Sequence, residues 1–320
     1  MSQPVTPDAV TWAYRLFLGR DPESPSVVQS QCTVHRDIES LRHAFLHSPE
    51  FQAQSAAIHG LTLNGSEPAM KIEAVHDITA MLEHIRRSWE QMGRERPHWS
   101  VLSDNQFLPD RIADSQKAFY ASGAWNRDVF LATLRRNGVD PDQLSSCLEF
   151  GCGVGRVTSW LAAHFKKIFA VDISQPHLDL ARRYLDDRGV RGVDLIRLQG
   201  IDDLDRLPQV DAVYSVIVLQ HNPPPVIARV IRSFFARLAP GGCAYFQVPT
   251  YNSGYTFSER AYVAGEMRRS DMEMHVLPQA EIFRLAAQAG CEPLEVAEDG
   301  CTGLRTGERS NTFLFRKRSV

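Results

Sequence analysis

Three glycines alternating through residues 151–155, directly after a short apolar run, constrain this chain more than any other feature. Residues 147–162 read C-L-E-F-G-C-G-V-G-R-V-T-S-W-L-A. The apolar run ends as a strand at Glu149, Gly151, Gly153 and Gly155 form a turn, and Val157, Trp160, Leu161 and Phe165 then fall on one face of a helix. Glycine is required in such a turn because the backbone bends sharply and a ligand must reach it without meeting a Cβ. The turn is therefore read as a ligand-binding element. A dinucleotide needs G-x-G-x-x-G, with a third glycine where helix and strand pack. Arg156 stands at that place, and the spacing points away from a dinucleotide.

Residues 167–172, K-I-F-A-V-D, form a second strand that ends in Asp172, seventeen positions past Gly155. That is near the roughly twenty-residue offset at which a carboxylate meets ribose hydroxyls in related folds. Residues 195–201 (L-I-R-L-Q-G-I), 211–221 (D-A-V-Y-S-V-I-V-L-Q-H) and 238–249 (L-A-P-G-G-C-A-Y-F-Q-V-P) follow in order. Together these stretches resemble the ordered motifs of class I S-adenosylmethionine (SAM) dependent methyltransferases, of the type 11/12 kind, over roughly residues 120–320. The resemblance implies an α/β fold: a Rossmann-like, mostly parallel seven-stranded sheet with an antiparallel edge strand and helices on both faces. It implies SAM as the cofactor, its methionine end on the backbone of Gly151, Gly153 and Gly155 and oriented by Glu149. Asp172 would accept the ribose hydroxyls, Ile173 and Ile201 would edge the adenine beside Gly200, and Ser215 on the fourth strand would complete the set. Asp202 is the neighbouring acid where relatives bond the adenine amine. A Rossmann-like fold that merely reuses the turn is the alternative, since fold alone does not fix function.

A chain of 320 residues suits one α/β domain plus an appendage. A formal charge of -3 offers no basic field to a nucleic acid or an anionic membrane. No stretch approaches the roughly eighteen apolar residues of a membrane span, and M-S-Q-P-V-T-P-D lacks the regions of a signal peptide. A cytoplasmic chain is expected. Its six cysteines include no C-x-x-C pair and read as reduced thiols, and no metal site is expected.

Three segments follow from the pattern: a helical unit over 1–55, a linker and connecting helix over 56–95, and the catalytic domain over 96–320. Val10, Ala13, Tyr14, Phe17 and Leu18 make 7–18 an amphipathic helix stopped by Gly19; Pro22, Ser24 and Pro25 restart the chain, and a further helix runs over 37–46. L-F-L-G-R-D-P-E-S (16–24) paired with L-R-H-A-F-L-H-S-P-E-F (41–51) resembles a small helical domain appended to bacterial enzymes of cell-surface glycan assembly. The resemblance implies a context rather than a reaction, and leaves open docking to a glycan-assembly enzyme or a plain N-terminal cap packed on the enzyme. Residues 52–68 read as a linker whose N-G-S is a turn. Val75, Ile78, Leu82, Ile85, Trp89 and Met92 then keep 3-4 spacing, as a homodimer seam or as a face packed on the same chain. Thr79, Met81, Arg86 and Ser88 beside them bring no complementary charge, which favours packing within the chain.

The acceptor side rests on less. Trp99 and Tyr120 precede the first strand where relatives shape the acceptor site. A hydroxyl acceptor needs a base, because an alcohol is a poor nucleophile until its proton leaves. His221 lies just past the fourth strand, where open α/β sheets place ligands. Glu273 and His275 lie on one side of an extended segment, embedded among Met272, Met274, Val276 and Leu277. The base is His221 or this pair. The long insertion over 251–269, aromatics interspersed with arginines, reads as a lid fit for a sugar or phosphorylated glycan end. Residues 292–299 and 311–318 close the sheet as a hairpin. The resulting expectation is methyl transfer to an oxygen acceptor, a sugar or glycan intermediate of surface polysaccharide assembly. The alternatives are N- or O-methylation of a small metabolite or peptide, and a SAM-binding scaffold without turnover.

Overall fold

A computed structural model describes residues 4–51, 70–72, 78–267, 272–301 and 308–319. The 52–68 linker with its N-G-S, the seam position Val75, and Arg268 and Arg269 of the insertion lie outside the described residues. Two compact units result, one holding 4–51 and the other the remainder.

The smaller unit is three helices, α1 (Pro7–Leu18), α2 (Pro25–Val34) and α3 (Ile38–Leu46). Each starts on a side-chain cap, Thr6, Ser24 and Asp37, that satisfies an otherwise orphaned backbone N–H. Gly19, at φ +64°, ends α1 in the left-handed conformation. Val10, Ala13, Tyr14, Leu18, Leu41 and Phe45 are its buried core. Arg20 grips Glu50 through two bonds of 2.6 and 2.7 Å, which is why G-R-D-P-E and S-P-E-F pair.

The larger unit is a seven-stranded sheet: β1 (Ser146–Phe150), β2 (Lys167–Asp172), β3 (Val193–Arg197), β4 (Val210–Ser215), β5 (Leu238–Asn252), β6 (Cys291–Asp299) and β7 (Glu308–Lys317), in the order β3-β2-β1-β4-β5-β7-β6. The first five are parallel, and β7 runs antiparallel to both β5 and β6. Successive side chains point to opposite faces, so Cys147, Ala212 and Tyr245 enter one core while Leu148, Val213 and Phe246 enter the other. Helices cover both faces, which is why the strands read as nearly unbroken apolar runs. Strand order reverses between β1 and β4, the switch point at which such sheets leave a crevice.

Helix α4 (Thr79–Glu95) buries Met81, Leu82 and Ile85 against Leu148, Phe150 and Val171 of the sheet. The stripe is thus occupied within the chain, as the lack of complementary charge beside it favours, and the helix falls in the larger unit. After α5 (Ile112–Ala121) and α6 (Gly123–Arg136) comes a second difference: the helix after the glycine turn, α7 (Thr158–Leu161), is a single turn. Gly123 abuts it so closely that a Cβ there would lie 2.2 Å from the Arg156 carbonyl. Val157, Leu161 and Phe165 are buried, but Trp160 is only half-buried and donates its indole N–H to Tyr120 O at 2.8 Å. The remaining helices are α8 (Gln175–Asp187), α9 (Pro224–Arg237), α10 (Glu259–Val263) and α11 (Gln279–Gln288). No helix among the described residues is long and apolar enough to cross a membrane.

Candidate active site

At the carboxyl ends of β1, β2 and β4 a cleft of about 1120 Å³, mouth included, opens beneath α4. Its floor is the glycine turn. Gly151 and Gly153 adopt φ of +77° and +55°. An added Cβ would lie 2.4 Å from Val218 at the first and 2.8 Å from Val101 at the second, so conformation and space both demand glycine. Gly155, at φ +81°, packs instead against Ala181 and does not line the cleft. Arg156, in the dinucleotide glycine's place, is buried and donates to Ser122 and Asn126, tying the turn to the start of α6.

Two carboxylates serve this floor differently. Asp172 accepts the Gly153 N–H and the Ser174 N–H, both at 2.8 Å, and so holds the turn against β2. Glu149 is 3% exposed, and its Oε2 has no hydrogen-bond partner. The Thr158 hydroxyl nearby closes no bond to it and is itself unpartnered. Burial pushes the Glu149 carboxyl up to about 8, with the Thr158 hydroxyl and then Arg156 opposing the rise and Asp172 adding to it. A buried acceptor left open in this way costs free energy until a donor meets it.

Ile173, Leu198, Gly200 and Leu204 form one wall. Ile201, half-buried against the core, and Asp202, exposed, are not part of it. Asp203 turns this loop, accepting from Gln199 N and Gly200 N at 2.8 and 3.0 Å. Ser215 does not line the cleft either: its hydroxyl is fully buried and donates to Phe150 O at 3.1 Å, joining β4 to the end of β1. The roof is Leu82, Ile85 and Trp89 of α4 with Ser100 and Val101. Buried His177 links floor to roof, bonded to Ser174 Oγ and Ser100 Oγ at 2.8 Å each.

The loop after β4 brings Ile217, Val218, which backs Gly151, and then His221 and Asn222 to the cleft. Ile217 has φ +58°, a left-handed conformation that a β-branched residue adopts only under constraint, at a cost of order 1–3 kcal/mol. Gln247 supplies the constraint. Its Oε1 accepts the Ile217 N–H at 2.9 Å, while its Nε2 donates to Gln220 Oε1 at 3.1 Å and Ser310 Oγ at 2.7 Å. His221 is buried, and its Nδ1 donates to the Glu273 carbonyl at 2.9 Å. A carbonyl carries no proton, so Nδ1 holds the hydrogen and Nε2 keeps a lone pair. Burial lowers the imidazole to about 4, against the raising effect of the Glu273 carbonyl.

Glu273 and His275 are brought to His221 but not to the cleft wall. The Glu273 carboxylate accepts from His84 at 2.9 Å, Tyr262 at 2.8 Å and His275 at 3.1 Å. Burial would raise it, but those three donors prevail and hold it at about 2. Tyr255 and Tyr262 of the insertion turn inward onto this cluster rather than forming a stacking platform for a sugar. Tyr120 stacks on Tyr184 with centroids 3.5 Å apart, and Trp99 lies under Arg96; neither lines the cleft. Trp89, Ile217, Gln247 and His84 escaped the sequence reading as site residues. A glutamine inside the apolar run A-Y-F-Q-V and a histidine between Leu82 and Ile85 were the available signals.

Residues 148–244 match the model of a methyltransferase domain. The chain is 29% identical over 153 residues to the ubiquinone biosynthesis O-methyltransferase of Bordetella pertussis, covering 46% of this chain and 61% of that one. It is 28% identical over 133 residues to an S-adenosyl-L-methionine-dependent Diels-Alderase of Talaromyces variabilis, covering 39% and 45%. It spans about three fifths of the first of these relatives and less than half of the second. In fold it is similar to magnesium protoporphyrin IX methyltransferase of Synechocystis PCC 6803 with bound SAH: TM-score 0.51, 17% identity, 74% of this chain and 99% of that one.

Proposed function

We propose, from the premise that this chain carries a class I S-adenosylmethionine-dependent methyltransferase domain, that it moves a methyl group from SAM to a hydroxyl oxygen of a small acceptor. The unpartnered Oε2 of buried Glu149, set beside a floor that only glycine fits, is the observation that carries this reading. An ammonium group answers that orphan oxygen, and the cofactor's methionine end has one. Asp172 keeps lone pairs for a ribose diol while bracing the turn. Ile173, Leu198 and Leu204 suit an adenine face. Bound there, the cofactor supplies an electrophilic methyl on a sulfonium. The chain orients it, excludes water beneath α4, and takes the acceptor's proton on His221 Nε2.

The wall left for the acceptor is Leu82, Ile85, Trp89, Val101 and Val218, with His221 and Asn222 as its polar groups. That composition favours a largely apolar hydroxyl compound over a sugar, whose hydroxyls would be left unpaired. An acceptor from surface-glycan assembly rests on the resemblance of the N-terminal unit. That unit is our candidate for docking a partner enzyme, and Trp12 and Leu16, 54% and 73% exposed on α1, give it an apolar face. A second reading, in which bound SAM is retained and not consumed, is favoured by one observation: a histidine lowered to about 4 is a weak base.

Titration with S-adenosylhomocysteine (SAH) at pH 7, in buffers of different protonation enthalpy, tests the cofactor site. Glu149 starts largely protonated and must ionise to meet the ligand ammonium, so close to one proton should be released on binding. Glu149→Gln should release none and bind about tenfold more weakly. Absence of binding by the folded protein overturns the proposal. Release of SAH from labelled SAM over an acceptor screen then separates turnover from retention.

A further inference from the structure

Resting on the reading of His221 as the base, we propose that Glu273 is a positioning residue that fixes the His221 imidazole, and that His84 on the roof helix acts on the base through it. Glu273 works in two directions. Its backbone carbonyl accepts His221 Nδ1–H at 2.9 Å, and its carboxylate accepts from His84, Tyr262 and His275. Those donors lie on α4, on α10 and in the Glu273 loop itself, and the first of them comes from 189 positions away. A partly buried carboxylate with three donors has one favourable orientation, and this pins the carbonyl of the same residue.

The loop is held to the His221 segment a second time, by His275 N–H to Gln220 O at 2.7 Å. The protons in the cluster can be placed. The Glu273 carboxylate is held at about 2 and only accepts, so His275 Nε2 carries a hydrogen toward it. Its Nδ1 meets the Tyr255 hydroxyl at 2.7 Å. At His221 the other tautomer would set a bare nitrogen against the carbonyl lone pairs at 2.9 Å, two acceptors facing each other. The carbonyl therefore selects the tautomer whose lone pair is on Nε2, where the Gln220 amide Nε2 lies 3.3 Å away as a donor and favours the same form. His84 never touches His221; its influence passes through Glu273, so the base is set only where α4 is seated.

The ring state of His221 is readable by long-range proton–nitrogen correlation on protein labelled at histidine, its signal assigned by loss in His221→Gln. The wild type should show one tautomer, hydrogen on Nδ1. Glu273→Ala and His84→Ala should populate the other form in about a tenth of molecules or more. His84→Gln, which still donates to Glu273, should restore the single form. If Glu273→Ala does not fold, Tyr262→Phe, which removes one donor, takes its place beside His84→Ala. An unchanged His221 signal in both variants, or Nε2–H in the wild type, overturns the positioning role. SAH calorimetry on the same samples keeps the two readings apart: a folded wild type that binds no SAH sinks the proposed function while the tautomer result stands.

Discussion

The glycine turn and the loop after β4 each bring to the cleft an ionisable group whose charge is suppressed by burial, Glu149 and His221, and the two groups suit opposite uses. At the glycine turn Glu149 is pushed up to about 8 and stays protonated with an open acceptor, waiting for a cation. On the loop after β4 His221 is lowered to about 4 and stays neutral, with both ring nitrogens already contacted by protein. The glycine turn is built from contiguous backbone; the surroundings of His221 are assembled from α4, β5 and two loops. A ligand that always looks the same can be met by a short motif, whereas a reacting proton must be placed by side chains converging from several elements.

The comparison breaks most visibly if the two groups are not separable. His221→Ala should lower methyl transfer from labelled SAM by about 10²–10⁴-fold, the usual worth of a positioned base. SAH affinity by calorimetry should stay within about threefold, because no bond of the glycine turn involves His221. A parallel loss of SAH binding would mean the cleft works as one unit.

Asp172→Ala should act at the glycine turn alone, weakening SAH by about ten- to a hundredfold for one charge-assisted contact worth about 1.5–3 kcal/mol. Asp172 also anchors the Gly153 and Ser174 amides. Asp172→Asn, which keeps one acceptor oxygen, should fall between the two.

Opposite shifts also give opposite pH limbs to stability. A carboxyl at about 8 when folded and near 4.5 when unfolded lets the unfolded chain release its proton first, so stability is lost as pH rises from about 4.5 to 8. Histidines at about 4 when folded and near 6.5 when unfolded do the reverse. His221 and His98 bind protons first in the unfolded chain, and stability is lost as pH falls from about 6.5 toward 4. Urea midpoints across pH 4.5–8 should therefore show the alkaline limb flattened in Glu149→Gln and the acid limb flattened in His221→Gln. A pH profile shared by both variants and the wild type would place the limbs elsewhere.

What was legible in the sequence follows the same division. Strand, glycine turn and the acid after the second strand are local patterns, and the order of the remaining runs gave the sheet. Ile217 could not be read, because its left-handed backbone is imposed by Gln247 thirty residues away. The role of Glu273 was half legible: a charge among apolar neighbours demands partners, yet His84 lies 189 positions distant. Tyr120 and Trp99 could be read either way from sequence, because aromatic rings serve packing as readily as recognition.

The smallest effect sharpens the boundary between motif and site. Ser215 shares a strand end with the cleft and on resemblance alone belongs to the cofactor set. Its hydroxyl instead satisfies the Phe150 carbonyl between β4 and β1, at the point where β1 passes into the glycine turn. Ser215→Ala removes one buried neutral hydrogen bond and should lower stability by about 0.5–1.5 kcal/mol in urea unfolding. Strand pairing on both sides of β1 holds the turn in register without that bond. SAH affinity should therefore stay within about twofold. A tenfold loss of affinity would show that this strand tie sets the height of the floor, and the glycine turn would then depend on side chains as much as the surroundings of His221 do.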